Sequence, residues 1–424
     1  MALEHRFTKL SLHQRGKDMV TGPNRPNDPT GKPYELAYKA QDIPVIPDPS
    51  VFNFQDIPNG DSIGNPSTTD LALPDLAECA THLEFLETLF VLRQKILVSK
   101  DLDEVMQTEP RREEKTGVQG DTKTFKDENL WGRRQIKWPL YAEFATIRFL
   151  AWREGFNKSN IMEITQDNLP PLDILMVWHS FLLNPRLFYN TCSDEPLFSV
   201  RFPWNHIHEA INSDEWSFTL GPRAAAHYKN NYGEYASLFE TFLTTLAGQL
   251  RDAVIRQASF VDKMNSYMWI RSPAIEGTIR RGVSRYVNFC KLIKMSKTTV
   301  VPTLDIDLVW HTHQCTAKYY GQAMKVLAGK FVNHDDTIEK PQLGDGFAET
   351  RALYRVHFGQ EYRACGCWDC QALLTELERV LEKGESPDID VIAMKVKEDV
   401  FYHRAVEWSR RHKTTLPMRR IAVP

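Results

Sequence analysis

LDILMVWHSFL at Leu172–Leu182 and LDIDLVWHTHQ at Leu304–Gln314 are the two stretches on which the fold turns. Aligned on Trp178-His179 and Trp310-His311, they share Leu-Asp-Ile at the start and Val-Trp-His three residues on. A second landmark precedes each. Ala145-x-x-Arg148-Phe149-x-x-Trp152 is answered by Gly282-x-x-Arg285-Tyr286-x-x-Phe289. A third follows each, Ala226-x-Tyr228-Lys229-x-x-Tyr232-Gly233-Glu234 against Ala352-x-Tyr354-Arg355-x-x-Phe358-Gly359-Gln360. The landmarks keep their order, and the distance between partners narrows by a few residues at each step. Three matches in register, separated by loops of unequal length, predict a unit of roughly 100 residues present twice.

Each copy reads as a helix with the Arg-aromatic landmark, a Pro-led helix with Trp-His, and a later helix ending near the glycine. Pro170-Pro171 and Pro302 suit a helix start, where a missing N–H costs little. Asp173 and Asp305 suit the positive end of a helix. In the stretch before the first copy, Leu83, Leu86 and Phe90 share one helical face. Leu373, Leu374, Leu377 and Val380 do so after the second, and a last helix is expected from about Ile389 to His412. Period-two alternation is scarce. The expected fold is mainly α: two tandem copies of a helical unit packed together, with a disordered N-terminal arm and C-terminal helices. The expected boundaries are an arm over 1–72, rich in Pro, Asn, Asp and Gly; a first unit over 73–245 with a charged loop at 107–129; a second over 246–370; and C-terminal helices with a basic tail over 371–424.

The 424 residues, 42% hydrophobic and 25% charged, suffice to bury a real core. With 52 basic against 55 acidic residues, the net charge of −3 argues against a broad nucleic-acid-gripping surface, so RNA is the disfavoured partner. Arg410, Arg411, His412, Lys413, Arg419 and Arg420 form the one basic cluster, read as a solvated tail. The first residues lack the apolar core of a secretory signal, and no run of about 18 apolar residues offers a membrane span. A cytoplasmic setting is expected, with the nucleus as the alternative. Seven cysteines in a reducing compartment are thiols or metal ligands before they are disulfides.

Three clusters carry candidate chemistry. Asp173, Trp178, His179 and their partners Asp305, Trp310, His311 are read first as a structural repeat motif, because Asp and His six positions apart point about 240° from each other on a helix. Asp307 and His311, at i and i+4, share a helical face at a spacing that suits two metal ligands. With His313, His334 and Asp336 nearby in sequence, the second copy offers a mixed N/O set, His311, His313, His334 and Asp336, for zinc, iron or manganese. The first copy has Leu175 and Phe181 in place of Asp307 and His313, so such a site belongs to the second copy alone. Cys365-Gly-Cys367-x-x-Cys370 places three thiols within reach of one structural zinc, a histidine such as His357 completing the set; free thiols and redox chemistry are the other readings. There is no glycine-rich phosphate loop, no G-x-S-x-G and no H-E-x-x-H.

From about residue 75 onward the sequence resembles the glycine-rich domain-containing protein (GRDP-like) family, especially its fungal branch. The motifs that carry the resemblance are ECATHLEFLETLFVLRQKI, LDILMVWHSFLLNP, LDIDLVWHTHQ, KFVNHDDTIEK and YRACGCWDC. It implies paired Trp-His-x-His helices; the first here reads Trp178-His179-Ser180-Phe181, so a two-histidine role is expected of the second alone. Plant members carry a glycine-rich tail and are linked to development, stress and RNA binding, and this sequence ends without such a tail. Through fungal members the resemblance also implies an iron/2-oxoglutarate dioxygenase, for which His334-x-Asp336 with a distal His357 or His403 would supply the ligands. Two functions are therefore expected in turn. The first is a binding, scaffold or regulatory module with a cleft between duplicated units, engaging a protein or small molecule. The second is a metal-dependent enzyme, zinc hydrolase-like or iron-dependent, built on the second copy's His/Asp cluster.

Overall fold

In the computed structural model, described for residues 45–54, 72–111, 113–116, 122–125, 127–159, 161, 163–232, 245–337 and 340–413, helices carry nearly all the regular structure. Most of the expected arm at 1–72 and the tail beyond Lys413 lie outside the described residues. The chain divides into two compact units: Phe85–Asn265, and the flanking segments up to Glu84 and from Ser266 onward. Among the described residues no helix is long and apolar enough to cross a membrane.

The Phe85–Asn265 unit takes most of helix α1 (Leu76–Val98), then α2 (Lys100–Met106), α3 (Leu130–Arg134), α4 (Lys137–Lys158), α5 (Leu172–Leu182), α6 (Pro185–Cys192), α7 (Trp204–Ala210), α8 (Pro222–Tyr232) and nearly all of α9 (Thr245–Tyr267). Within the charged stretch 107–129, read from the sequence as a loop, β1 (Glu113–Thr116) pairs antiparallel with β2 (Thr122–Phe125). Four-residue strands rich in threonine are too short to show a period in sequence. A two-residue ladder, β3 (Ile211–Asn212) with β4 (Ser217–Phe218), follows α7.

Helix α5 is apolar on nearly every side, and all of Asp173–Leu182 is buried, the signature of a central helix. It stops where Asn184-Pro185 opens α6, with Pro185 in the first turn. Trp178 packs on Trp152 of α4 at 5.4 Å between ring centroids, and Phe149 meets Phe181 edge-on at 6.1 Å. Arg148 of α4 donates to Asp173 at 2.6 Å. His179 lies fully inside this aromatic core, its ring 5.3 Å from Phe85 and 5.9 Å from Phe202, and burial pushes its pKa down to about 3. It is a neutral core histidine.

The other unit holds α10 (Ile275–Met295), α11 (Leu304–Gln314), α12 (Ala317–Leu327), α13 (Lys340–Phe358), α14 (Trp368–Glu382) and α15 (Ile389–His412), the last at the bounds the sequence predicts. Helix α10 packs against α11 through contacts at the positions that the landmarks pair with those above. Trp310 lies 5.7 Å from Phe289, Tyr286 meets His313 edge-on at 5.7 Å, and Arg285 donates to Asp305 at 2.6 Å. The helices are close here: a Cβ on Gly282 would stand 3.3 Å from the Asp305 carbonyl oxygen and from a Val309 methyl. Arg285 also donates to Thr303 and to the Tyr362 carbonyl, and lies over the rings of Tyr354 and Tyr362.

Two predictions follow from the two Arg–Asp pairs and from the core histidine. Arg285, 13% exposed and bonded three ways, is deeper than Arg148, 42% exposed. Either deletion leaves a sheltered aspartate, Asp173 being 7% and Asp305 19% exposed, but Arg285 also gives up its bonds to Thr303 and the Tyr362 carbonyl, each worth about 1 kcal/mol. Urea unfolding is therefore expected to show Arg285→Ala losing about 1–2 kcal/mol more than Arg148→Ala; equal losses would refute the asymmetry. His179 is neutral in the folded state and protonates from 6.5 down in the unfolded chain, so between pH 6.5 and about 3 the unfolded state binds the extra proton. Stability should fall as pH drops through that window, and His179→Phe should lower the slope by about one proton. An unchanged slope in unfolding titrations would count against a neutral His179.

Candidate metal centre

Helix α11 presents Asp307 and His311 one turn apart on the same face, and the segment after α12 brings His334 to them. His311 Nε2 lies 3.1 Å from His334 Nε2, and Asp307 Oδ1 lies 3.3 Å from the first nitrogen and 3.9 Å from the second. The three ligand atoms converge in a largely dry place, with side chains 2%, 10% and 22% exposed for His311, His334 and Asp307. A triangle of these sides has a point about 2.0 Å from every corner, which is the bond length zinc makes to imidazole nitrogen and carboxylate oxygen.

The loop bearing His334 is fixed from below. Trp310 Nε1 donates to Tyr320 Oη at 2.8 Å, and that hydroxyl donates to the Val332 carbonyl at 2.9 Å, two residues ahead of His334. The Trp310 ring also stands edge-on to His334 at 5.1 Å. On the other side of α11, Thr312 Oγ1 donates back to the Leu308 carbonyl at 2.8 Å and so accepts from His82 Nδ1, also at 2.8 Å. That bond places the His82 proton on Nδ1.

Of the four residues nominated from the sequence as one N/O set, the structure brings His311 and His334 together and leaves two aside. His313, fully buried, pairs its Nδ1 with Tyr286 Oη at 2.8 Å and stands edge-on to Tyr320 at 5.2 Å. Asp336 is half-buried and outside the group; Asp307 supplies the carboxylate instead. The distal histidines weighed for a dioxygenase triad stay outside as well. His403 sits on α15 against the Arg271 carbonyl, and His357 lies beside Phe358 near the end of α13.

The unit containing α4 and α5 holds apolar residues at the matching positions. Leu175 stands for Asp307, Phe149 for Tyr286, Phe181 for His313 and Phe188 for Tyr320, and all four are buried. Without a counterpart to the Tyr320 hydroxyl, Trp178 Nε1 finds no hydrogen-bond acceptor among the described residues.

The second nominated cluster is also assembled. The sulfurs of Cys365, Cys367 and Cys370 lie within 4.8 Å of one another, those of Cys365 and Cys367 at 3.3 Å. Cys367 is the N-cap of α14, and hydrogen bonds from Cys370 draw its thiol down to about 5, while Cys370 is pushed up. In the Phe85–Asn265 unit a cavity of about 320 Å³ is lined by Trp152, Phe156, Ile164, Asn168 and Tyr228 among others.

Comparison with known proteins finds a partial likeness. Residues 213–322, which run from before α8 into α12 and include Asp307 and His311, match the family model described as glycine-rich domain-containing protein-like. Glycine-rich domain-containing protein 1 of Arabidopsis thaliana is 28% identical over 221 residues, covering 47% of this chain and 26% of that protein. Glycine-rich domain-containing protein 2 of the same plant is 29% identical over 217 residues, with the same shares covered. The chain thus spans about a quarter of the length of these relatives. No solved structure matches it. Over residues 213–322 the chain is thus similar to the glycine-rich domain-containing protein-like family.

Proposed function

We propose that this chain is a metal-dependent protein whose centre is Asp307, His311 and His334, with zinc as the metal and one coordination position left for water or a substrate atom. The observation that carries the reading is the spacing of the three ligand atoms. An ion with bonds of about 2.0–2.1 Å sets its ligands about 3.3–3.4 Å apart when tetrahedral, and about 2.9 Å apart when adjacent or about 4.1 Å when opposite on an octahedron. The separations of 3.1, 3.3 and 3.9 Å lie within reach of such bonds, and a donor set of two imidazoles and a carboxylate suits zinc. Three protein ligands with a fourth position open is the pattern of a catalytic rather than a structural zinc. Zinc held there would polarise a bound carbonyl or lower the pKa of a bound water, which favours hydrolysis over the dioxygenase alternative.

The matching contacts of α4–α5 and α10–α11 support a duplication in which only one copy gained the centre, since a buried Leu175 stands where Asp307 would have to be. The module-like reading keeps one supporting observation, the cavity beside Trp152 and Tyr228, which suits a small apolar ligand. Saturable quenching of tryptophan fluorescence by such ligands would uphold it, and flat titrations across a fragment set would remove it.

Two measurements test the metal reading. Elemental analysis of protein purified without chelator or immobilised metal should find about one equivalent of zinc per chain, since a built site fills. Asp307→Ala and His334→Ala should lose it, while His313→Phe, which installs the residue of the other copy, should keep it. Less than about 0.1 equivalent of zinc, iron and manganese together in the unaltered chain would end the proposal. Tyr320→Phe strips the hydroxyl that links Trp310 to Val332. Loss of such outer support weakens metal affinity about 10–100-fold, and a competition titration with a chromophoric chelator should show a drop of that order. Unchanged affinity would mean that the His334 loop does not depend on that link.

A further inference from the structure

Cys365-Gly366-Cys367-Trp368-Asp369-Cys370 is held as a rigid turn at the start of α14. Trp269 Nε1 donates to the Gly366 carbonyl at 2.7 Å, Gln371 Nε2 to the Cys365 carbonyl at 2.6 Å, and Trp368 Nε1 to the Tyr267 carbonyl at 2.6 Å. Asp369 is tied to Arg404 at 2.7 Å. The turn is as close-packed as it is bonded: a Cβ on Gly366 would meet the rings of Trp269 and Tyr267 at 3.0 Å. The three thiols this turn presents differ in access. Cys365 is exposed, Cys367 is half-buried and Cys370 is buried.

We infer that Cys367 and Cys370 form a thiol–disulfide exchange site, Cys367 attacking and Cys370 resolving, that takes a low-molecular-weight disulfide of the glutathione class as its oxidant. Three observations favour this over a structural zinc. A structural zinc wants four protein ligands, yet among the described residues the thiol group numbers three, and Asp369 beside it is committed to Arg404. The pair Cys367-x-x-Cys370 opens a 15-residue helix, where backbone N–H groups and the helix dipole favour a thiolate. The access is also graded in the required sense, with the attacking sulfur reachable and the resolving one sheltered. Cys365, with its sulfur 3.3 Å from Cys367, is separated from it only by Gly366, and a disulfide closing so small a ring is strained.

The step balances. The Cys367 thiolate attacks one sulfur of the external disulfide, forming a mixed disulfide and expelling one small thiolate, which takes up a proton from water. Cys370 gives its proton to solvent and attacks the Cys367 sulfur, forming the Cys367–Cys370 bond and expelling the second small thiolate. Two protein thiols are oxidised and one external disulfide is reduced to two thiols.

The site shares no residue with the metal centre, so its test can fail alone. The full chain is equilibrated in buffers of varied oxidised-to-reduced glutathione ratio, quenched with an alkylating agent and mapped by mass spectrometry. The expected result is a Cys367–Cys370 disulfide that grows with the ratio. Cys370→Ser should instead accumulate the glutathione adduct on Cys367, Cys367→Ser should give neither product, and Cys365→Ser should behave as the unaltered chain. Absence of the Cys367–Cys370 disulfide in the unaltered chain at every ratio would overturn the inference. So would an equivalent of zinc that survives His334→Ala but is released when the thiols are titrated, since that would make the cluster a metal site.

Discussion

Two hydrogen bonds made by one hydroxyl hold the candidate centre together. Tyr320 Oη accepts from Trp310 on α11 and donates to Val332 in the segment that carries His334, so the helix bearing Asp307 and His311 and the loop bearing His334 share a single fixed point. The Trp310 bond is buried and the Val332 bond partly so, and a polar group left there without a partner costs about 1–3 kcal/mol. That cost makes the arrangement discrete. The loop either satisfies the hydroxyl and brings His334 to 3.1 Å from His311, or leaves polar groups stranded.

The same reasoning explains why the two helix pairs look alike and differ in what surrounds them. In both, an arginine from the first helix meets the aspartate in the first turn of the second, and the tryptophan of the second packs on an aromatic of the first. These contacts fix the helix pair and tolerate either chemistry around it. In one unit the surroundings are Phe149, Leu175, Phe181 and Phe188, all buried, while His179 sits as a neutral ring against Phe85 and Phe202. In the other they are Tyr286, Asp307, His313 and Tyr320, in which each tyrosine hydroxyl meets a polar partner of the same unit.

Much of the helical scaffold could be read from the sequence because periodicity and punctuation act locally. The Trp-His helices and the span Ile389–His412 stand where apolar spacing places them. The centre was legible only in part. His311 and His334 were nominated by residue type, and Asp307 by its one-turn spacing from His311. The diversion of His313 was not legible, because what claims it is a tyrosine 27 residues earlier, brought close only when α10 packs on α11. Nor was the exclusion of Asp336, since the sequence cannot say which way a loop turns. The two Arg–Asp pairs had both halves marked as landmarks; reading them together would have found them. Helix α1 departs furthest from its sequence: Leu83, Leu86 and Phe90 suggested one apolar face, yet Cys79–Leu89 are buried throughout, polar Thr81, His82, Glu84, Glu87 and Thr88 included.

A polar core of this kind does not arise one residue at a time without loss. Placing an aspartate at the buried Leu175 position would bury a carboxylate whose one-turn neighbour, His179, is held neutral by its apolar surroundings, at a cost of several kcal/mol. Placing a tyrosine at the Phe188 position would give Trp178 an acceptor but add a hydroxyl that needs an acceptor of its own. Asp307 stands instead among two imidazoles, and the Tyr320 hydroxyl has both a donor and an acceptor, so each polar group in this unit removes the penalty of another. Such mutual dependence favours change as a set.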